Sequence, residues 1–138
     1  MKILVINGPN LNMLGKRNPK LYGKMTLDEI NKNLEEDFPK MEFEFFQSNF
    51  EGEIIEKIHT ITSDNYLGLL INPGALAHQS IALRDALEIL DVKIAEVHLS
   101  KINKREAFRK TNYIADVVTK QFIGEKYKSY YKAVKYLG

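Results

Sequence analysis

Strand-like runs alternate with stretches of helical periodicity five times along this chain: residues 2–7 then 26–38, 41–47 then 51–62, 67–72 then 78–90, 92–98 then about 104–110, and 117–123 then 126–137. Strict alternation of this kind leaves few solutions, because parallel strands need long right-handed crossovers and the helices of those crossovers cover both sheet faces. The pattern predicts an α/β chain with a doubly wound, five-stranded parallel sheet. Its 138 residues, 44% of them hydrophobic, supply one core and not two, so residues 1–138 read as a single domain.

Five units in this order predict the strand order 2-1-3-4-5, a flavodoxin-like three-layer sandwich whose switch point lies between strands 1 and 3. Local signals mark the helix starts. Thr26-Leu27-Asp28-Glu29 and Ser48-Asn49-Phe50-Glu51 both fit a capping box, and Pro39 ends the first long helix. The fifth strand carries polar residues through Asp116-Val117-Val118-Thr119-Lys120-Gln121, which places it at an edge.

Three strand-like runs end in Asn or His, two of them at Pro-Gly or Gly-Pro turns: Ile3–Ile6 into Asn7-Gly8-Pro9-Asn10, Leu67–Ile71 into Asn72-Pro73-Gly74, and Ile94–Val97 into His98. Ligands of open parallel sheets bind outside the carboxyl ends of the strands, so these tips converge on one site, with Asn10 and Asn72 facing each other across the switch point. The connection 10–25 is much longer than the usual ~2–6 residues between strand and helix. It carries Lys16, Arg17 and Tyr22 among Gly15, Pro19 and Gly23 and reads as an active-site lid.

Glu96 and His98, two apart on a strand, share a face. A carboxylate beside an imidazole fixes its tautomer and favours the protonated ring. A structural ion pair is the plainer reading, and the position at the crevice favours proton transfer. Tyr22 beside two cations is the second candidate, since positive charge favours the ionised phenol; a packed loop tyrosine is the alternative. His78 stands at a predicted helix start, as a cap or a ligand contact, with Asp85 two turns along the same helix. Arg105 and Arg109 are spaced i, i+4, a solvated pair or, if turned inward, an oxygen-binding fork at Arg109.

Other classes are excluded or disfavoured. Twenty basic and 18 acidic residues are interspersed, giving a net charge of +2 and no reason to expect nucleic acid as a partner. The lysine-rich end, Lys126 to Lys135, interleaves with Tyr127, Tyr130, Tyr131, Val134 and Leu137 at helical spacing and reads as a solvated helix face. There is no cysteine, no membrane-length apolar run and no signal peptide, so a soluble cytoplasmic protein is expected. Phosphate-loop, dinucleotide and nucleophile-elbow motifs are absent, and His59, His78 and His98 lack metal-ligand spacing. Acid–base chemistry without metal or cofactor is the simplest enzymatic reading.

The run Asn7-Gly8-Pro9-Asn10-Leu11-Asn12-Met13-Leu14-Gly15-Lys16-Arg17, with Pro19 and Leu21-Tyr22-Gly23, resembles the N-terminal signature of type II 3-dehydroquinate dehydratase. The similarity continues through Gln47–Gly52, Asn72–Ala75, His78, Ala82–Leu87, Glu96–Ser100, Arg105-Glu106 and Phe108-Arg109, over roughly the first 113 residues. The resemblance implies cofactor-free, metal-free anti dehydration of 3-dehydroquinate to 3-dehydroshikimate through an enolate. It implies Tyr22 as base, Arg17 as the group that stabilises its ionised form and the transition state, His98 as acid oriented by Glu96, and Asn10 holding a water at the enolate oxygen. Substrate contacts would come from Asn72, His78, Asp85, Leu99, Ser100 and Arg109. It also implies a homo-oligomer, a dodecamer built from trimers in which Asp85 reaches a neighbouring subunit's site. Leu76-Ala77, Phe50 and Asn103-Lys104 depart from the family pattern, as does Gly124–Ser129, which lacks the usual glycine-rich run. A flavodoxin-like module that binds a small carboxylate without transforming it is the alternative.

Overall fold

Residues 1–138 are described by a computed structural model in which five parallel strands pair in the order β2-β1-β3-β4-β5. They are β1 (Lys2–Asn7), β2 (Glu42–Gln47), β3 (Tyr66–Asn72), β4 (Lys93–His98) and β5 (Lys120–Ile123). The helices are α1 (Pro19–Tyr22), α2 (Leu27–Asp37), α3 (Glu51–Ile58), α4 (Ile81–Glu88) and α5 (Tyr127–Leu137). Successive side chains of β1 enter opposite layers. Ile3 and Val5 join Ile30, Leu34, Tyr130 and Val134 of α2 and α5, while Leu4 and Ile6 join Ile54, Ile58, Leu83 and Leu87 of α3 and α4. Burial on both faces explains why β1 and β3 are continuous apolar runs. β5 lies at an edge, as expected, but it begins only at Lys120; Asp116–Thr119, read as part of the strand, form the turn before it, and β2 is the other edge.

Register carries the strand ends to one level. Asn7 is paired with Gln47 on one side and Asn72 on the other, and His98 with Ile123. At that level the β1 and β3 turns nearly touch: the Gly8 N–H donates to the Asn72 carbonyl at 2.8 Å. A Cβ on Gly8 would lie 2.5 Å from the Pro73 carbonyl oxygen, which is backbone and cannot step aside. Gly8→Ala is therefore expected to destabilise the fold by about 1–3 kcal/mol, read as a lowered urea midpoint.

Several sequence expectations need correction. Residues 104–110 form no α-helix; two 3-10 turns, Ile102–Lys104 and Ala107–Lys110, flank extended Arg105 and Glu106. Only Ile102 is buried there, so no apolar stripe exists to hold a helix against the sheet. The Thr26–Glu29 capping box is present. The second is not: α3 is capped at Phe50, and Ser48 Oγ accepts from the Phe50 N–H at 2.9 Å while donating to Glu53. Helix α4 starts after a Ser80 cap, leaving His78 in the preceding 3-10 turn, Gly74–His78. No helix is long and apolar enough to cross a membrane.

Far from the strand tips, Glu44 accepts hydrogen bonds from Lys57 at 2.5 Å, Lys2 at 3.0 Å and the Tyr66 hydroxyl at 3.0 Å. The two ammonium groups hold its carboxyl down from 4.5 to about 2. A carboxylate with a depressed folded-state pKa contributes stability that is full above the unfolded value and lost as pH falls toward the folded one. Because the group is partly exposed, its contribution should stay below about 1 kcal/mol. Denaturation between pH 4.5 and 2 should show Glu44→Gln losing less stability with acid than the unmodified chain.

Candidate active site

A cleft with about 530 Å³ of space, part of it open to solvent, lies outside the carboxyl ends of β1, β3 and β4. Asn10, Arg17, Tyr22, Asn72, His78, His98, Leu99, Ser100 and Arg109 all line it. Glu96 stands behind His98, fully buried, and Asp85 is exposed on α4, outside the lining.

The lid is folded over this cleft. A short 3-10 turn, Leu11–Met13, follows Asn10, whose φ of 70° is a left-handed conformation that Asn tolerates better than most residues. The Asn10 N–H is held by Asn49 Oδ1 at 2.9 Å. Helix α1, capped by the Asn18 side chain, then turns Tyr22 inward. Its phenolic oxygen accepts from Arg17 Nη2 and from Arg105 Nη1, each at 2.7 Å. The Arg17 guanidinium also stacks over the ring, with Cζ 3.8 Å from the centroid. Two charge-assisted donors on one oxygen stabilise negative charge there. Arg105 was not among the predicted site residues; its i, i+4 relation to Arg109 invoked a helix that does not form, and its partner lies 83 residues away.

On the β4 side, His98 Nε2 donates to Glu96 Oε2 at 2.6 Å, which leaves Nδ1 as the ring atom free to exchange a proton with a ligand. Burial pushes the Glu96 carboxyl up, and the hydrogen bond and charge of His98, followed by Gln121 and Asn112, outweigh it, so the net shift is downward. Asn112 Nδ2 donates to Oε2 at 2.7 Å and Gln121 Nε2 to Oε1 at 2.9 Å. Glu96 is a fully satisfied carboxylate locked in one orientation. Neither amide could be read from local pattern.

His78 completes this wall, its ring centroid 6.2 Å from that of His98. Its Nδ1 contacts the Thr111 carbonyl at 2.7 Å, so Nδ1 must be the donor and Nε2 the bare acceptor. Burial, and then the positive charges of His98 and Arg109, hold its pKa below the ordinary histidine value. Nε2 is buried with no hydrogen-bond partner in the protein. Arg109 is tethered to Glu106 Oε2 at 2.8 Å and keeps its remaining guanidinium donors for the cleft. No group of three or more His, Cys, Asp or Glu side chains is placed to hold a metal ion.

The family model described as dehydroquinase class II matches residues 1–138. The chain belongs to the class II dehydroquinase family. It is 46% identical over 138 residues to the 3-dehydroquinate dehydratase of Pelodictyon phaeoclathratiforme, covering 99% of this chain and 91% of that one. It is 53% identical over 118 residues to the 3-dehydroquinate dehydratase of Helicobacter pylori strain Shi470, covering 82% and 70%. The crystal structure of the type II dehydroquinase from Butyrivibrio crossotus superposes with a TM-score of 0.95 at 42% identity, covering 99% and 97%. This dehydroquinase chain keeps the turn before α5 without a glycine-rich run. Gly124 takes φ 87° and Lys126 φ 55°, and their N–H groups bond the carbonyls of His98 and Leu99 at 3.0 and 3.1 Å.

Proposed function

We propose that the chain is a 3-dehydroquinate dehydratase, acting in the shikimate pathway by anti elimination of water from 3-dehydroquinate to give 3-dehydroshikimate. The observation that carries this reading is one cleft flanked by a phenolic oxygen under two guanidinium groups and by an imidazole backed by a buried carboxylate. Tyr22, as phenolate, takes the C2 proton, which the adjacent C3 carbonyl acidifies, and the electron pair moves onto oxygen as an enolate. Arg17 and Arg105 stabilise the base before transfer. The enolate then reforms the carbonyl as the C1–O bond breaks. Protonated His98 gives its Nδ1 proton to the departing hydroxyl, so water leaves and C1=C2 forms; Glu96 holds the ring and balances its charge.

Asn10 holds a water at the enolate oxygen. Leu99 and Ser100 receive the substrate carboxylate through their backbone N–H groups, and Asn72, His78 and Arg109 receive the ring hydroxyls. Asp85 would complete a neighbouring subunit's site in a dodecamer built from trimers. Ile81 and Ile89, exposed at 58% and 75% on and just after the same helix, are apolar surface of the kind that subunit contact covers. A cytoplasmic location fits a biosynthetic enzyme of this kind.

Turnover is followed by the ultraviolet absorbance of the conjugated product. Purified, folded protein should generate that absorbance from 3-dehydroquinate with no added metal or cofactor. Binding of the ring carboxylate with no absorbance change would instead support the binding-only alternative, which family membership leaves without support.

A further inference from the structure

Tyr130 lies in the middle of α5 and is wholly buried, yet its hydroxyl is not in an apolar setting. It donates to Asn7 Oδ1 at 2.5 Å and accepts from Asn72 Nδ2 at 2.8 Å. Asn7 and Asn72 are themselves 1% and 3% exposed, at the ends of the two central strands. The amide oxygen of Asn72 is also committed, since it accepts from the Gly74 N–H at 3.1 Å.

An asparagine amide has two donors and one acceptor oxygen, and a free side chain can flip to present either end. Here the Gly74 N–H can only donate and so requires the oxygen at one position, while the Tyr130 hydroxyl, its proton given to Asn7, takes an Asn72 N–H at the other. Tyr130 can accept from Asn72 only while its own proton is committed to Asn7. The chain Asn72 to Tyr130 to Asn7 thus has one consistent direction, with the tyrosine hydroxyl and both amide oxygens satisfied. One Asn72 N–H is left over, and Asn72 lines the cleft.

We propose that Tyr130 is a positioning residue that, with the Gly74 N–H, holds the Asn72 amide in one orientation, so that the cleft is offered a donor and not an acceptor. The site therefore selects an acceptor oxygen, such as a ring hydroxyl oxygen, at that point. Tyr130 touches no ligand and acts only through Asn72. The proposal rests on the dehydratase reading for its substrate, not for its geometry.

Tyr130→Phe keeps the ring that fills the core and deletes only the hydroxyl. KM should rise about tenfold with kcat within about twofold, because an Asn72 contact made equally to substrate and transition state is lost as uniform binding. A purely structural defect would lower the active fraction and the melting temperature without moving KM. In an Asn72→Ala background, Tyr130→Phe should leave KM unchanged. An unchanged KM in the single variant, or an undiminished second effect in the double variant, would overturn the proposal. If Tyr130→Phe fails to fold, the unmodified protein still decides: by NMR, one Asn72 side-chain amide proton should be protected from solvent exchange and the other protected only when 3-dehydroshikimate is bound. Equal exchange of both would also overturn it. Absence of turnover in the unmodified chain would sink the dehydratase reading instead, and the dissociation constant of 3-dehydroshikimate would then replace KM in the same comparison.

Discussion

Tyr22→Phe is expected to reduce kcat by about 10³-fold or more, some 4 kcal/mol of transition-state stabilisation, with little change in ligand affinity. The phenylalanine ring preserves the packing of α1 and the face on which Arg17 stacks. What disappears is the oxygen, and with it the only atom to which Arg17 and Arg105 both donate. Stopped-flow and steady-state absorbance assays of the purified variant separate the two parameters. A variant that retained near-normal turnover would show that the proton is taken by another group.

The second large effect is expected at the other wall. His98→Ala should lower kcat by about 10³-fold, because the hydroxyl at C1 must then leave without a proton donor. The variant also leaves Glu96 Oε2 with Asn112 alone and Oε1 with Gln121, so a buried carboxylate loses its imidazole donor. Removing one partner of such a pair destabilises by up to ~3–5 kcal/mol, less here because two amides remain. Circular dichroism and a melting curve therefore accompany the kinetics. Loss of turnover in a folded variant carries the assignment; undiminished turnover refutes it.

The parts of this site written locally could be read locally. Period-two alternation puts Glu96 and His98 on one face, and the turns at Asn10 and Asn72 mark the switch point. The excessive length of 10–25 marked a functional segment, and its folded path puts Tyr22 in the cleft. Arg105 was misread because its neighbours have charge and spacing that mimic a helix surface, while the segment lacks the apolar residues to become one. Asn112, Gln121 and Tyr130 were invisible for a different reason. Their partners are 16, 25 and as many as 123 residues away, and nothing in a polar residue's own neighbourhood names a partner across a sheet. Tyr130 looked like one more aromatic on the buried face of α5, which it is, and its hydroxyl is the part that periodicity does not describe.

The division of labour between the two walls is tested most directly by exchange of the C2 proton of 3-dehydroquinate in deuterated water, followed by NMR in both variants. His98→Ala should form the enolate and reprotonate it, exchanging C2 faster than the uncatalysed reaction while releasing almost no product. Tyr22→Phe should exchange no faster than buffer. Rapid exchange in Tyr22→Phe, at the rate of the unmodified chain, would contradict the account.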